Sequence, residues 1–133
     1  MNNRSLFRHF TVAALAVSFS SLAFCQMENY FVTLEFARKE LEAGRVTLID
    51  VREPQEHATG VAKGAQLLPM RQLSSRMSEI PDDPNRPVLL ICNTQNRSSA
   101  TFKILHDKGY KNLHYVQGGM SEWNRRGWPV VQP

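Results

Sequence analysis

Residues 88–105 read VLLICNTQNRSSATFKIL, and the fold follows from that stretch. Val88, Leu89, Leu90 and Ile91 are four consecutive apolar residues, the pattern of a central strand with both faces buried. Residues 92–97 are polar. From Ser98 the spacing predicts a helix that turns Ala100, Thr101, Ile104 and Leu105 inward and ends at Lys108-Gly109. A buried strand that enters a helix through a short polar turn is the first half of a crossover between parallel strands.

The flanking segments repeat that alternation. Upstream, Thr33 is an N-cap for a helix with Leu34, Ala37, Arg38 and Leu41 on one face, closed by Gly44. Val46, Leu48 and Ile49 form a short buried strand that stops at Asp50. Residues 52–59 hold one helical turn, and Gly60 and Gly64 punctuate a loop leading to Leu67, Leu68 and Pro69. A second helix fits residues 73–80, with Leu73, Met77 and Ile80 on one side, before Pro81, Asp82, Asp83 and Pro84 break the chain. Downstream, residues 113–116 form a further strand, and Gly118-Gly119 precede a helix over 120–126. Strands separated by helices at this spacing predict an α/β fold, a small parallel sheet with helices on both faces. Ligands of such folds sit beyond the carboxyl ends of the strands. The residue at that end of the strand over 88–91 is Cys92.

Composition sets the outer limits. The chain has 133 residues, 42% hydrophobic and 21% charged, which suits one globular domain and excludes a disordered tract. Two cysteines are too few for a disulfide scaffold. Residues 1–9 carry Arg4, Arg8 and His9 without an acid, and residues 10–24, FTVAALAVSFSSLAF, carry no charge. That apolar run is short of the roughly twenty residues a bilayer span needs. It reads as a secretory signal peptide over residues 1–25, cleaved after Cys25, leaving 26–133 as a single domain. Cleavage after Ala23 is the rival, and Leu22-Ala23-Phe24-Cys25 resembles a lipoprotein box with Phe24 where a small residue is usual. Setting Arg4 and Arg8 aside from the 16 Lys and Arg leaves 14 against 12 Asp and Glu, a balance of +2 with no footprint for nucleic acid. Export predicts a bacterial periplasmic or secreted protein. Asn96-Arg97-Ser98 is a glycosylation sequon inside the turn after Cys92, which favours a periplasm over a eukaryotic secretory route.

With Cys25 removed, Cys92 is the one thiol of the mature chain. It is either a small core residue or a nucleophile. Three features of its turn favour the nucleophile. The following helix presents unpaired N–H groups and a partial positive charge, the tight turn can aim further N–H groups at one centre, and Arg97 adds a cation. Each stabilises a thiolate over a thiol. Ser98 is placed to cap the helix or donate to an oxyanion.

These residues resemble the rhodanese-like sulfurtransferases. Leu48-Ile49-Asp50-Val51-Arg52-Glu53-Pro54-Gln55-Glu56 is similar to the family's first strand and its DVREPEE turn. The stretch from Gly60 through Ala65 to Pro69 keeps the spacing of the next motif, and Cys92 and Arg97-Ser98 match the active loop, in which four residues separate Cys from Arg. Gly118-Gly119-Met120-Ser121-Glu122-Trp123, with Gly127, Pro129 and Val130, is similar to the closing element, so the resemblance covers residues 46–130. It implies a persulfide carrier without cofactor. Cys92 would take the outer sulfur of thiosulfate or a related small sulfur-containing anion and pass it to cyanide or a thiol, a thioredoxin-like protein among the possible acceptors. Asn93, Thr94, Gln95, Asn96, Arg97 and Ser98 would hold the bound anion, and Arg52 is either a cationic rim for the donor or half of a structural ion pair. Gln95 stands where family loops carry Gly. A positive φ there would strain Gln, a role Asn93 and Asn96 tolerate better.

Two rivals are weighed against this reading. Cys–Arg phosphatases place five residues between Cys and Arg; the four here make too small a cradle for phosphate. A non-catalytic rhodanese-fold binding or regulatory module is the rival of a different class, opposed by the presence of both Cys92 and Arg97. His57, His106 and His114 lie too far apart in sequence to suggest a metal site. His106 is expected to face solvent, Trp123 and Trp128 to anchor packing, and Arg125-Arg126 to form a solvated helix end.

Overall fold

The computed structural model describes residues 30–133. The expected signal segment, including Cys25 and its cleavage and lipidation readings, lies outside the described residues. Five parallel strands form one sheet in the order β1-β5-β4-β2-β3. They are β1 (Phe31–Val32), β2 (Thr47–Asp50), β3 (Gln66–Leu67), β4 (Val88–Ile91) and β5 (Leu113–Val116). The helices are α1 (Leu34–Glu42), α2 (Pro54–His57), α3 (Leu73–Arg76), α4 (Asn96–Asp107) and α5 (Gly119–Arg125). Among the described residues no helix is long and apolar enough to cross a membrane.

The apolar run that decides the fold occupies the middle of the sheet, where β4 pairs with β2 on one side and β5 on the other. Val88, Leu89, Leu90 and Ile91 are all fully buried. Side chains alternate along a strand, so the run divides between two cores. Leu89 and Ile91 pack with Leu34, Ala37, Met120 and Trp123 from α1 and α5. Val88, Leu90 and Cys92 pack with Leu73, Phe102 and Leu105 from α3 and α4. Each fully buried aliphatic side chain contributes roughly 1.5–3 kcal/mol relative to exposure, which makes β4 the pillar of the fold. Alternation thereby also sets the direction of Cys92: its side chain faces α4.

Thr33 caps α1 as expected, its Oγ1 accepting the N–H of Phe36 at 3.2 Å. Other elements depart from the sequence reading. The segment expected as one helix over 73–80 is a single α-turn between two 3-10 turns, Met70–Gln72 and Met77–Glu79, although Leu73 and Ile80 are buried as predicted. The helix expected from Ser98 starts at Asn96, and its inward face is Ser98, Thr101, Phe102 and Leu105. Ala100 and Ile104 are exposed, because the larger apolar Phe102, two positions after the one and two before the other, takes the buried face instead. The edge strands β1 and β3 have two residues each, too short to leave a period.

The C-terminal segment closes the α1–α5 face. Trp123 is buried and donates its indole N–H to the Pro129 carbonyl at 3.1 Å, while Trp128 meets it edge-on at 5.1 Å. Arg126 is more than the solvated helix end expected for it: it pairs with Glu122 and Glu35 and, with Arg38, lies over the Trp128 ring. His106 is half exposed and stacks on Phe102.

Candidate active site

Cys92 follows the last residue of β4 and is 1% exposed. The chain then makes a tight turn and enters α4. What shapes the turn is α5. Met120 donates its N–H to the Cys92 carbonyl and Ser121 to the Asn93 carbonyl, both at 2.8 Å. In a trans peptide the N–H points opposite to the C=O. Fixing those two carbonyls on α5 therefore turns the N–H groups of Asn93 and Thr94 to the other side, away from α5. Among the described residues the backbone N–H groups of residues 93–97 have no hydrogen-bond partner. Together with the α4 N-terminus they are unpaired donors of the kind that can make an anion-binding nest.

Gly119 makes this approach possible. Its φ is +59°, and a Cβ there would stand 2.3 Å from the Thr94 carbonyl oxygen and 2.5 Å from those of Asn93 and Cys92. Gly118 precedes it with φ +82°. The paired glycines are thus the hinge that lets a helix start directly against the loop.

Among the described residues, the sulfur itself has one hydrogen-bonding partner residue. The Ser98 N–H donates to Sγ at 3.4 Å, and the Ser98 hydroxyl lies 3.5 Å from Sγ while donating to the Gln95 carbonyl at 3.1 Å. Ser98 is fully buried, so these are enclosed contacts. Asn93, Thr94, Gln95 and Asn96 are exposed, and their contribution to the nest is their backbone. The strain expected at Gln95 is absent: its φ is −154°, and among the described residues no residue other than glycine has a positive φ. Asn93 and Asn96 take over no left-handed role, because α5 holds the loop by its carbonyls instead.

Arg97 makes a bidentate ion pair with Glu56, Nη1 to Oε2 at 2.6 Å and Nη2 to Oε1 at 2.7 Å. The Arg97 hydrogen bonds pull the Glu56 carboxyl down to about 2, and the same contact pushes the Arg97 guanidinium up. Glu56 Oε2 also accepts the Glu53 N–H at 3.0 Å, which ties the acid to the start of α2. Sequence reasoning placed Glu56 in a motif but gave it no role. Its signal was an acid one helical turn inside α2, 41 positions before the loop arginine it meets.

Arg52 is the structural half of the alternative drawn for it. It is 2% exposed, forks onto Asp50 with Nη2 to Oδ2 at 2.7 Å, and donates to the Gly60 carbonyl at 2.9 Å. A guanidinium so enclosed provides no cationic rim. Its Nη1 reaches the Glu56 carbonyl at 3.4 Å, so it braces α2 from behind. His57, also buried, brings Nε2 to 3.4 Å from Asp50 Oδ1. Among the described residues no group of three or more His, Cys, Asp or Glu side chains is placed to hold a metal ion.

Comparison with known proteins gives the family of the chain. The family model described as Rhodanese-like domain matches residues 33–126. A protein of Allochromatium vinosum named Sulfurtransferase is 40% identical over 107 residues, 80% of this chain and 98% of that one. Among solved structures, a rhodanese-related protein from Thermoplasma volcanium superposes with a TM-score of 0.68 at 27% identity, covering 77% of this chain and 97% of that chain. The human single-domain sulfurtransferase has the same fold, with a TM-score of 0.62 at 24% identity over 73% of this chain and 96% of its own.

Proposed function

The chain belongs to the rhodanese-like domain family, and on that premise we propose that it is a sulfurtransferase that moves sulfane sulfur from thiosulfate or a related small anion to a thiophilic acceptor through a persulfide on Cys92. The observation that carries this reading is the position of the Cys92 sulfur in a loop whose carbonyls are held by α5 and whose N–H groups are left unpaired.

The chemistry asks little of side chains. The Cys92 thiolate attacks the outer sulfur of the donor, an S–S bond forms to Cys92, and the old bond to the donor breaks with its electron pair leaving on the donor remnant, sulfite in the case of thiosulfate. The product is an anionic persulfide. Unpaired N–H groups preorganised around it stabilise that charge without reorganisation. Ser98, whose N–H and hydroxyl both reach Sγ, fixes the sulfur as it becomes the inner atom of the persulfide. A thiolate or cyanide then attacks the outer sulfur and regenerates the Cys92 thiolate, giving ping-pong order. The acceptor reading includes low-molecular thiols and a thioredoxin-like protein. Residues 1–25, read as a signal peptide, would place this transfer in a bacterial periplasm.

The test is steady-state transfer to cyanide, read as thiocyanate. Residues 26–133 should turn over with parallel double-reciprocal plots, and Cys92→Ser should abolish turnover. A folded protein that transfers no sulfur from thiosulfate or from a hydropersulfide would instead support the non-catalytic binding module.

A further inference from the structure

Among the described residues, the arginine of the loop and the arginine behind α2 are both committed to acids: Arg97 is paired bidentately with Glu56 at 2.6 and 2.7 Å, and Arg52 is enclosed on Asp50 at 2.7 Å. The loop residues Asn93, Thr94, Gln95 and Asn96 carry no charge. What remains for an incoming anion is the row of backbone N–H groups and the α4 N-terminus, which together amount to about half a positive charge. That suits one negative charge. A donor with two would enter beside the Cys92 thiolate with Arg97, the cation of the loop, already committed to Glu56.

We infer that the Glu56–Arg97 pair makes this a site for singly charged sulfane donors, the hydropersulfides of small thiols, in preference to the dianion thiosulfate. The inference rests on the sulfurtransferase reading and narrows its donor. Glu56 is the positioning residue: it fixes Arg97 across the loop and offsets part of the charge that Arg97 directs toward Cys92. The donor enters as the monoanion, and the step balances as RS–S⁻ plus the Cys92 thiolate giving Cys92–S–S⁻ plus RS⁻. One S–S bond forms and one breaks, the negative charge stays on the transferred sulfur in the nest, and the electron pair of the broken bond leaves on the small thiolate. No oxidant or reductant enters.

The test compares single-turnover sulfur loading of Cys92 by three probes: thiosulfate, cysteine hydropersulfide, and methanethiosulfonate, which resembles thiosulfate in shape but carries one charge. The last separates charge from leaving group. Wild-type protein should load from both monoanions at least about tenfold faster than from thiosulfate. Glu56→Gln, which frees the Arg97 charge, should shift the thiosulfate-to-methanethiosulfonate ratio about tenfold toward thiosulfate. Salt gives a readout that does not depend on the variant folding: raising ionic strength should leave wild-type loading by thiosulfate flat or faster. Thiosulfate loading as fast as methanethiosulfonate, falling steeply with salt and with an unchanged ratio in Glu56→Gln, would overturn the inference and leave the sulfurtransferase reading intact. Loading by none of the three would overturn that reading itself.

Discussion

Gly119 lies against Thr94 so closely that a Cβ on the glycine would stand 2.3 Å from the Thr94 carbonyl oxygen. The loop takes its shape from this contact, because α5 reaches the Cys92 and Asn93 carbonyls only when nothing projects from its first residue. Gly119→Ala adds both a clash with backbone and a left-handed conformation that costs roughly 1–2 kcal/mol for an L side chain. The expected outcome is a lower Tm and, at temperatures where the variant is still folded, at least about a tenfold loss in the rate of sulfur loading, since misplaced donors of this kind cost that much or more. Calorimetry and quenched mass spectrometry read the two effects separately.

The ion pair that holds Arg97 has a pH signature. Glu56 is lowered from 4.5 to about 2 in the folded protein, chiefly by the Arg97 hydrogen bonds. A carboxyl with a depressed folded pKa binds fewer protons folded than unfolded, so its contribution is complete above about pH 5 and is lost as pH falls toward 2. Each side chain is 34% exposed, and solvent screening limits the contribution to about 1 kcal/mol. Urea unfolding at pH 6 and pH 3 should therefore show wild type losing roughly half of that, about 0.5 kcal/mol, more than Glu56→Gln across that interval.

Asp50 and Arg52 form a different kind of pair, with side chains 1% and 2% exposed. Removing one partner strands a buried charge, which costs roughly 3–5 kcal/mol, whereas removing both does not. Asp50→Ala is expected to lower stability by about that amount, and the Asp50→Ala/Arg52→Ala double variant to lie well short of the sum of its two singles. A double-mutant cycle by chemical denaturation measures the difference.

Gln95 gives a prediction opposite to the one its sequence suggests. Family loops carry Gly at this position, but the Gln95 φ of −154° needs none. Gln95→Gly is expected to leave the loading rate within about twofold and to cost about 0.5–1 kcal/mol from added chain entropy. Loading rates and urea midpoints of the two proteins check both parts.

Much of the fold was legible because its signals are local or periodic. The run of Val88 to Ile91 specified a central strand, Asp50 marked the end of β2, and Thr33 capped α1 as its side chain requires. The site was half legible. Cys92, Arg97 and Ser98 stand together because a strand end and a helix start dictate it, and sequence spacing carries that information. The partners of the two arginines were beyond it. Glu56 meets Arg97 only after the chain has crossed from α2 through β3 and β4, and no local pattern records such a pairing. Arg52 could be read as rim or brace until Asp50 and the Gly60 carbonyl were seen to enclose it. The inward face of α4 was misread for a simpler reason: Ala100 and Ile104 fit the helical period as well as Ser98 and Phe102, and only the sheet decides between them.

Whether Cys92 carries the sulfur can be read from the intact mass of the protein. Residues 26–133 would be weighed before and after brief incubation with cysteine hydropersulfide or thiosulfate, beside Cys92→Ser. The wild type should gain the mass of one sulfur, which a reducing thiol removes and the variant lacks. A folded wild-type protein whose mass does not change with any sulfane donor, or a variant that gains the sulfur equally, would contradict it.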